Sequence, residues 1–156
     1  MNAFTPALTE DHKKLPPMAS RFIQANSIPW ESTRYEGIQT KTLLVEPSSG
    51  LLTLLMKMEQ GAVLPDHEHV QIEQTWILNG SLVCDEGSCH AGEFVWRPAG
   101  SRHKAWAGPQ GVTLLGIFLM PNKFFEANGT EVDFLGEDWN KKWAAANERK
   151  LNALFD

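Results

Sequence analysis

The chain has 156 residues, 42% of them hydrophobic, and a formal net charge of −5 at pH 7. This length fits one domain and is too short for two hydrophobic cores of ordinary size. The sequence has no basic block to bind nucleic acid, and its longest apolar run, around 112–120, is much shorter than the roughly 18 residues that a membrane span needs. These features predict a cytoplasmic protein without nucleic-acid or membrane partners.

Residues 1–27 predict an extended N-terminal arm. Pro6, Pro16 and Pro17 interrupt this segment, charges of both signs are mixed, and no hydrophobic period is sustained. An arm of this kind often packs on a neighbouring subunit or stays mobile.

Residues 28–121 predict an all-β unit. Short runs of strand-forming residues end at turn residues roughly every 8 to 12 positions, which is typical of a sandwich or barrel. The runs are GIQTKTLLVE, LLTLLMKM, EQTWILN and SLVC on either side of Gly80, EFVWR, and VTLLGIFLM. The segment CDEGSC, from Cys84 to Cys89, predicts a hairpin tip. Two cysteines are too few for a disulfide framework, so both are expected to be reduced.

Residues 122–156 predict an extension of the same domain that contains a C-terminal α-helix. Apolar residues recur there every three to four positions, as on one face of an amphipathic helix, and they are Trp139, Trp143, Ala146, Leu151 and Leu154. Asp138 is the expected N-cap, since its carboxylate can accept hydrogen bonds from the first turn. The two tryptophans are expected to pack the helix on the barrel or on a partner subunit.

Metal-ligating residue types cluster between Gly61 and Gly80. His67 and His69 are two positions apart, so both imidazoles point to the same face of an extended strand. Glu73 has the same parity and can add a carboxylate oxygen. A lone His-x-His pair is a weak signal, because hydrogen bonds can also satisfy such side chains. The pair alone leaves a metal site and a hydrogen-bonded polar cluster both open.

A third histidine follows in the segment GEFVWRPAGSRHKAWA. Pro98 stops a strand, and Gly92 and Gly100 allow tight turns. His103 is therefore expected to emerge just after a turn at the mouth of a barrel.

These two segments resemble the paired motifs of the cupin family, G-x5-H-x-H-x3-E-x6-G and G-x5-P-x-G-x2-H-x3-N. Nine positions match, and they are Gly61, His67, His69, Glu73, Gly80, Gly92, Pro98, Gly100 and His103. Ala107 stands where the family often has asparagine, which is not a ligand. The resemblance implies a double-stranded β-helix, the jelly-roll or RmlC-like cupin barrel, with one divalent metal ion held by His67, His69, Glu73 and His103.

Residues 28–121 are also similar to the cupin domain of ChrR-type anti-sigma factors, over IPWESTRYEGIQTKTLL and NGSLVCDEGSCHAGEFVWRPAGSRHKAW. That group is similar to acetylacetone dioxygenase and 2,4'-dihydroxyacetophenone dioxygenase, which share a tail like PNKFFEANGTEVDFLGEDW. ChrR proteins carry a further N-terminal domain with its own zinc site. The first 26 residues here contain no cysteine, which disfavours an anti-sigma role.

Three imidazoles and one carboxylate suit iron, manganese, nickel, cobalt or zinc, and an octahedral ion so bound keeps two positions open for a small-molecule substrate and oxygen. Together with the resemblance to these two dioxygenases, this implies a metal-dependent dioxygenase that cleaves a small diketone or aromatic hydroxyketone, with iron preferred and no organic cofactor. Two alternatives stay open. One is a non-catalytic, ChrR-like metal or ligand sensor closed by zinc, and the other is a metal-assisted isomerase or lyase with His90 or His12 as a base.

Several residues near the motifs have roles that strand parity does not decide. Four aromatic residues could line an apolar pocket or belong to the core, and they are Trp76, Phe94, Trp96 and Trp106. Arg102 and Gln74 stand beside proposed ligands and could orient a substrate, although a solvated arginine is the commoner case. Cupin sheets often pack back to back, and with the arm and the helix this predicts a homodimer or homotetramer.

Overall fold

The computed structural model describes residues 3–155. Within these residues it has ten strands and two helices. The strands are β1 Glu31–Ser32, β2 Ile38–Glu46, β3 Leu51–Met58, β4 Val63–Glu68, β5 Glu73–Cys84, β6 Gly87–His90, β7 Phe94–Arg97, β8 Arg102–Phe118, β9 Lys123–Phe125 and β10 Glu131–Val132. The helices are α1 Thr9–His12 and α2 Trp139–Asn152, and single 3₁₀ turns lie at Pro6–Leu8 and Ala25–Ser27.

All strand pairs are antiparallel, and together they form one curled sheet. Its order is β1-β2-β3-β8-β4-β9-β10, and β5 joins it by pairing with β6, β7 and β8. β8 is 17 residues long and connects the parts of the sheet, because it pairs with β3, β4 and β5 along its length. The curled sheet confirms the predicted all-β jelly-roll fold.

The barrel core lies on the inner face of this sheet. On β3 the buried side chains Leu54, Met56 and Met58 alternate with partly exposed ones, as the period of two in a strand requires. Ile77 on β5 is fully buried, and Ile38 on β2 is nearly so. These apolar side chains fill the barrel beside the candidate site.

The C-terminal helix begins where the sequence predicts. The Asp138 side chain accepts a hydrogen bond from the backbone N–H of Lys141 at 3.0 Å, which is the expected N-cap. Trp139 and Trp143 are buried and form an apolar cluster with Met120, just after β8. The tryptophans therefore pack the helix on the barrel, as predicted.

The prediction of an apolar face along α2 is wrong at the C-terminal end of the helix. Leu151 and Leu154 are 43% and 76% exposed, and Leu154 follows the last helical residue, Asn152. Burial on this helix ends at Ala146, and later residues such as Arg149 and Lys150 reach the barrel only through hydrogen bonds of their polar ends. None of the helices in residues 3–155 has the length and apolar character needed to cross a bilayer.

The N-terminal segment runs beside β2. Phe4 and Val45 exchange two backbone hydrogen bonds of 2.9 Å, and the Thr5 hydroxyl donates to the Leu43 carbonyl at 2.7 Å. The boundaries expected at 27 and 121 stay predictions. Residues 1, 2 and 156, which belong to the predicted arm and extension, lie outside the described residues.

Candidate metal centre

Two neighbouring strands bring the three histidines together. His67 on β4 pairs directly with His103 on β8, and directly opposite residues in an antiparallel pair share a face. His69 follows the end of β4 and is fully buried. The three ring centroids are 4.7 to 4.9 Å apart. One nitrogen of each ring lies within 4.8 Å of the others, a spacing that could hold a metal ion.

The turn before β8 positions two of these histidines. The His69 N–H donates to the Ser101 carbonyl at 2.8 Å, and the Gly100 N–H donates to the His69 carbonyl at 2.7 Å. The Ser101 hydroxyl closes the turn by donating to the Pro98 carbonyl at 2.7 Å. Gly100 has φ +86°, a conformation that favours glycine. The Pro-x-Gly spacing thus fixes both the His69 backbone and the start of the strand that carries His103.

The fourth predicted ligand, Glu73, joins the cluster as the first residue of β5. Its Oε2 contacts His69 Nδ1. Its Oε1 accepts a hydrogen bond of 3.0 Å from the Thr75 hydroxyl, and the Asn122 side-chain amide lies 3.5 Å from Oε2. The Glu73 carboxylate is therefore held against the His69 imidazole, beside the three histidines whose nitrogens are close enough to share an ion.

The nitrogens of this cluster fit the needs of a cation. His67 Nδ1 lies 2.7 Å from the Pro65 carbonyl oxygen, so Nδ1 carries the proton and Nε2 keeps a free lone pair. Among the described residues, Nε2 of His69 and Nδ1 of His103 are buried without a hydrogen-bond partner, whereas His69 Nδ1 contacts the Glu73 carboxylate. A buried polar atom left unpaired costs about 1–3 kcal/mol. A divalent ion among these atoms would remove much of that cost.

The charge states also suit metal binding. Burial, followed by the neighbouring His69, lowers the pKa of His67 to about 4, and burial, His67 and Arg97 lower the pKa of His103 to about 3. Burial alone would raise the pKa of Glu73, but the contacts with His69 and Thr75 outweigh it and lower this pKa to about 2. At pH 7 the site offers neutral His67 and His103 imidazoles and a carboxylate, the forms that ligate metals.

We expect the metal-free protein to lose stability as the pH falls from 7 to 4. In the unfolded chain both histidines take up protons near pH 6.5, whereas folded His67 and His103 take them up only near pH 4 and pH 3. The free energy of unfolding therefore falls as the pH falls through this window. For His67 alone the loss is on the order of 3 kcal/mol. Urea denaturation of chelator-treated protein at several pH values measures this loss of unfolding free energy.

The matched variants for this measurement are His67→Gln and His90→Gln. His90 is exposed, so H90Q should keep the full pH dependence, whereas H67Q should show a shallower one. An unfolding free energy that is constant between pH 7 and 4 in the unsubstituted protein would contradict the account.

Two neighbouring spaces adjoin the cluster. An internal cavity of about 40 Å³ is lined by His67, Glu73 and His103 together with apolar side chains. An open cleft of about 450 Å³ lies between β6, β7 and the start of β8. Leu82, Arg97 and His103 line both spaces, so these residues separate the inner cavity from the cleft.

The four aromatic residues whose orientation strand parity could not predict take different positions relative to the cavity and the cleft. Phe94 and Trp96 line the outer cleft, and they are 49% and 56% exposed. Trp76 and Trp106 line neither space, and Trp76 is 45% exposed on the outer face of β5. None of the four lines the inner cavity, which is mainly surrounded by aliphatic side chains and by three phenylalanines from other segments, Phe118, Phe124 and Phe134.

The other polar residues considered from the sequence do not reach the cluster. Arg102 pairs with Asp66, stacks on Phe125 at 3.7 Å and has a side chain 52% exposed. Gln74 pairs with Trp96 across the strands, on the side opposite to Glu73. His12 and His90 line neither the inner cavity nor the cleft, so neither is placed to act as a base there.

Three polar residues at the site were not predicted from the sequence, namely Thr75, Asn122 and Arg97. Thr75 shares the parity of Glu73, which was a usable signal. Asn122 follows Pro121 in a loop, where periodicity gives no information about contacts. Arg97 lies on the inner face of a short strand because it pairs directly with Glu73, a register that the sequence does not reveal.

The curled antiparallel barrel with histidines converging from β4 and β8 is the architecture of a cupin. The sequence matches the family described as ChrR Cupin-like domain over residues 18–121, which is more than half of the chain. The chain therefore belongs to the ChrR cupin-like family. Among curated proteins, none matches the sequence.

Solved structures agree with this fold. A candidate acetylacetone dioxygenase from Methylibium petroleiphilum PM1 is 21% identical, with a TM-score of 0.67 over 83% of this chain and 98% of that chain. The acetylacetone dioxygenase from Acinetobacter johnsonii is 17% identical, with a TM-score of 0.63 over 87% and 95%. Rhodobacter sphaeroides SigE in complex with the anti-sigma ChrR gives 19% identity and a TM-score of 0.52 over 61% and 50%. At these identities the likeness shows the fold alone.

Proposed function

We propose that this protein is a metal-dependent dioxygenase that cleaves a small diketone or aromatic hydroxyketone. The observation that carries the proposal is the cluster of three imidazoles, in which His69 Nε2 and His103 Nδ1 are buried without hydrogen-bond partners, with the Glu73 carboxylate in contact with His69. Two similar folds bear the name acetylacetone dioxygenase, one of them as a candidate, which supports the same chemistry.

His67, His69, Glu73 and His103 would hold the ion. When bound, iron(II) would supply a Lewis acid and a source of electrons for the reaction of an electron-rich enolate with oxygen. Four protein ligands leave two positions of an octahedral ion for small molecules.

The surrounding residues keep the donor atoms in place and limit access of water. The Pro65 carbonyl fixes the His67 tautomer, and the Thr75 hydroxyl fixes the Glu73 carboxylate. Such partners of the ligands typically change metal affinity or activity 10- to 100-fold when they are removed. The inner wall is otherwise mainly apolar, with Leu114 and Phe118 among its side chains, so a substrate there is shielded from bulk water.

The direct test is oxygen uptake by anaerobically purified protein loaded with iron(II). With pentane-2,4-dione and a panel of other diketones and hydroxyacetophenones, we expect at least one compound to be consumed with one O2 per molecule. The rate should fall at least about hundredfold in His103→Ala, because a ligand is lost. Uptake no faster than that of metal-free protein with every compound would contradict the proposal.

A second candidate function is a non-catalytic sensor or binding module whose site is closed by zinc. The observation in its favour is the size of the inner cavity, about 40 Å³, against the roughly 300 Å³ or more of ordinary ligand pockets. Metal identity separates the two candidates. Zinc retained from native expression, together with no oxygen-dependent turnover in the iron form, would favour the sensor.

A further inference from the structure

A largely buried arginine stands between the inner cavity and the outer cleft. Arg97 is the last residue of β7 and pairs directly with Glu73, so its side chain lies on the inner face of the sheet. Its side chain is only 11% exposed. Arg97 lines both spaces beside His103, which places a fixed positive charge next to the candidate metal centre.

This guanidinium has weak partners for a buried cation. In the described residues its Nη2 donates to Cys84 Sγ at 3.7 Å, and its Nη1 lies 3.5 Å from Glu86 Oε1. Sulfur is a weak acceptor, and the Glu86 side chain is 81% exposed, so solvent screens that pair. A guanidinium has five N–H donors, and burying it without strong acceptors is costly. Arg97 therefore has donors to spare for a ligand.

The charges of the residues around Arg97 indicate whether a ligand beside it would be a cation or an anion. Cys84, Glu86 and His103 are themselves close enough to suggest a second cation site. Arg97 contacts the first two of these residues, so a metal ion there would meet a like charge at short range. The space beside Arg97 suits an anion instead.

We propose that Arg97 is a specificity residue that binds a carboxylate of the substrate, so that the natural substrate is a small oxo acid rather than a neutral diketone. This inference rests on the proposed dioxygenase function. A divalent ion, the Glu73 carboxylate and the Arg97 guanidinium together carry a net charge of +2. A compound with one enolate oxygen and one carboxylate carries −2 and would neutralise the site.

The geometry of access agrees with this role. A compound that enters from the outer cleft meets Arg97 before the inner cavity, because Arg97 and His103 line both. The planar guanidinium can hold a carboxylate through two parallel hydrogen bonds, which fixes its orientation as well as its position. The oxo groups of the same compound would then point towards the histidine cluster.

The test uses two probes that differ by one carboxylate, pentane-2,4-dione and 2,4-dioxopentanoate. Their dissociation constants are measured by calorimetry on the zinc-loaded protein, where no oxygen chemistry intervenes. We expect 2,4-dioxopentanoate to bind at least about tenfold more tightly, since a charge-assisted hydrogen bond contributes roughly that much. Arg97→Gln should lose this preference while its affinity for the dione changes less than about threefold, and Arg97→Lys should keep part of it.

The control is Arg149→Gln, which removes the same charge from an exposed helical residue that lines neither space. R149Q should keep the full preference, and metal content should be equal in all variants. The proposal is overturned if the two probes bind equally, if neither binds, or if R97Q retains the preference. Failure of the dioxygenase function has a different signature, in which the preference is present but the iron form consumes no oxygen with either probe.

Discussion

Replacing His69 with alanine is expected to lower the affinity of the protein for zinc or iron(II) by at least about hundredfold. His69 is fully buried, its Nδ1 contacts the Glu73 carboxylate, and its Nε2 lacks a hydrogen-bond partner. Its ring lies 4.9 Å from those of His67 and His103, so its loss removes one donor from the centre of the cluster. Removing even the partner of a metal ligand typically costs 10- to 100-fold, and removing a ligand costs more.

Competition with a chelator of known affinity measures this loss. Thr75→Val, which removes only the hydrogen bond to Glu73, should give a smaller decrease of about tenfold. His90→Ala is the control, because His90 is exposed and lines neither the cavity nor the cleft. Equal metal affinity in H69A and H90A, with both variants folded, would show that the cluster is not the metal site.

Replacing Gly80 with alanine is expected to destabilise the fold by about 4 kcal/mol or more. Gly80 has φ +72°, a conformation that costs an ordinary residue about 1–2 kcal/mol. The larger part of the effect is steric. A Cβ atom at Gly80 would lie 2.8 Å from the carbonyl carbon of Gly111 and closer still to its oxygen. Backbone cannot rotate away as a side chain can, so β5 and β8 would have to separate where Gly80 pairs with Val112.

The control for this substitution is Gly61→Ala. Gly61 has φ +71°, nearly the same as Gly80, but a Cβ atom there meets nothing within 4 Å. G61A should therefore show only the conformational cost of about 1–2 kcal/mol. Denaturant unfolding of both variants gives the difference directly. A G80A protein no less stable than G61A would contradict the close approach of β5 and β8.

Local pattern predicted much of the fold. LLTLLMKM coincides with β3, and Asp138 caps the helix as expected. The bounds of other strands were predicted incompletely. EQTWILN and SLVC form one strand, because β5 continues through Gly80, and the first seven residues of the predicted VTLLGIFLM strand form the end of β8. Backbone pairing with distant strands defines these boundaries, and single-sequence patterns do not contain it.

The candidate site was predictable in its four principal residues, because strand parity and fixed motif spacing place them together. Its surroundings were not. Arg97 reaches the site through its register with Glu73, and Asn122 reaches it from a loop after β8. Both depend on the three-dimensional path of the chain. The homodimer or homotetramer and the cytoplasmic location stay predictions.

The most direct test of the central claim is an X-ray structure of the metal-loaded protein with anomalous diffraction at the metal edge. We predict one anomalous peak per chain, bonded to one nitrogen each of His67, His69 and His103 and to the Glu73 carboxylate, with nitrogen distances of about 2.0–2.2 Å. A peak at another place in the chain, or no peak in protein soaked with zinc or iron(II), would contradict the claim.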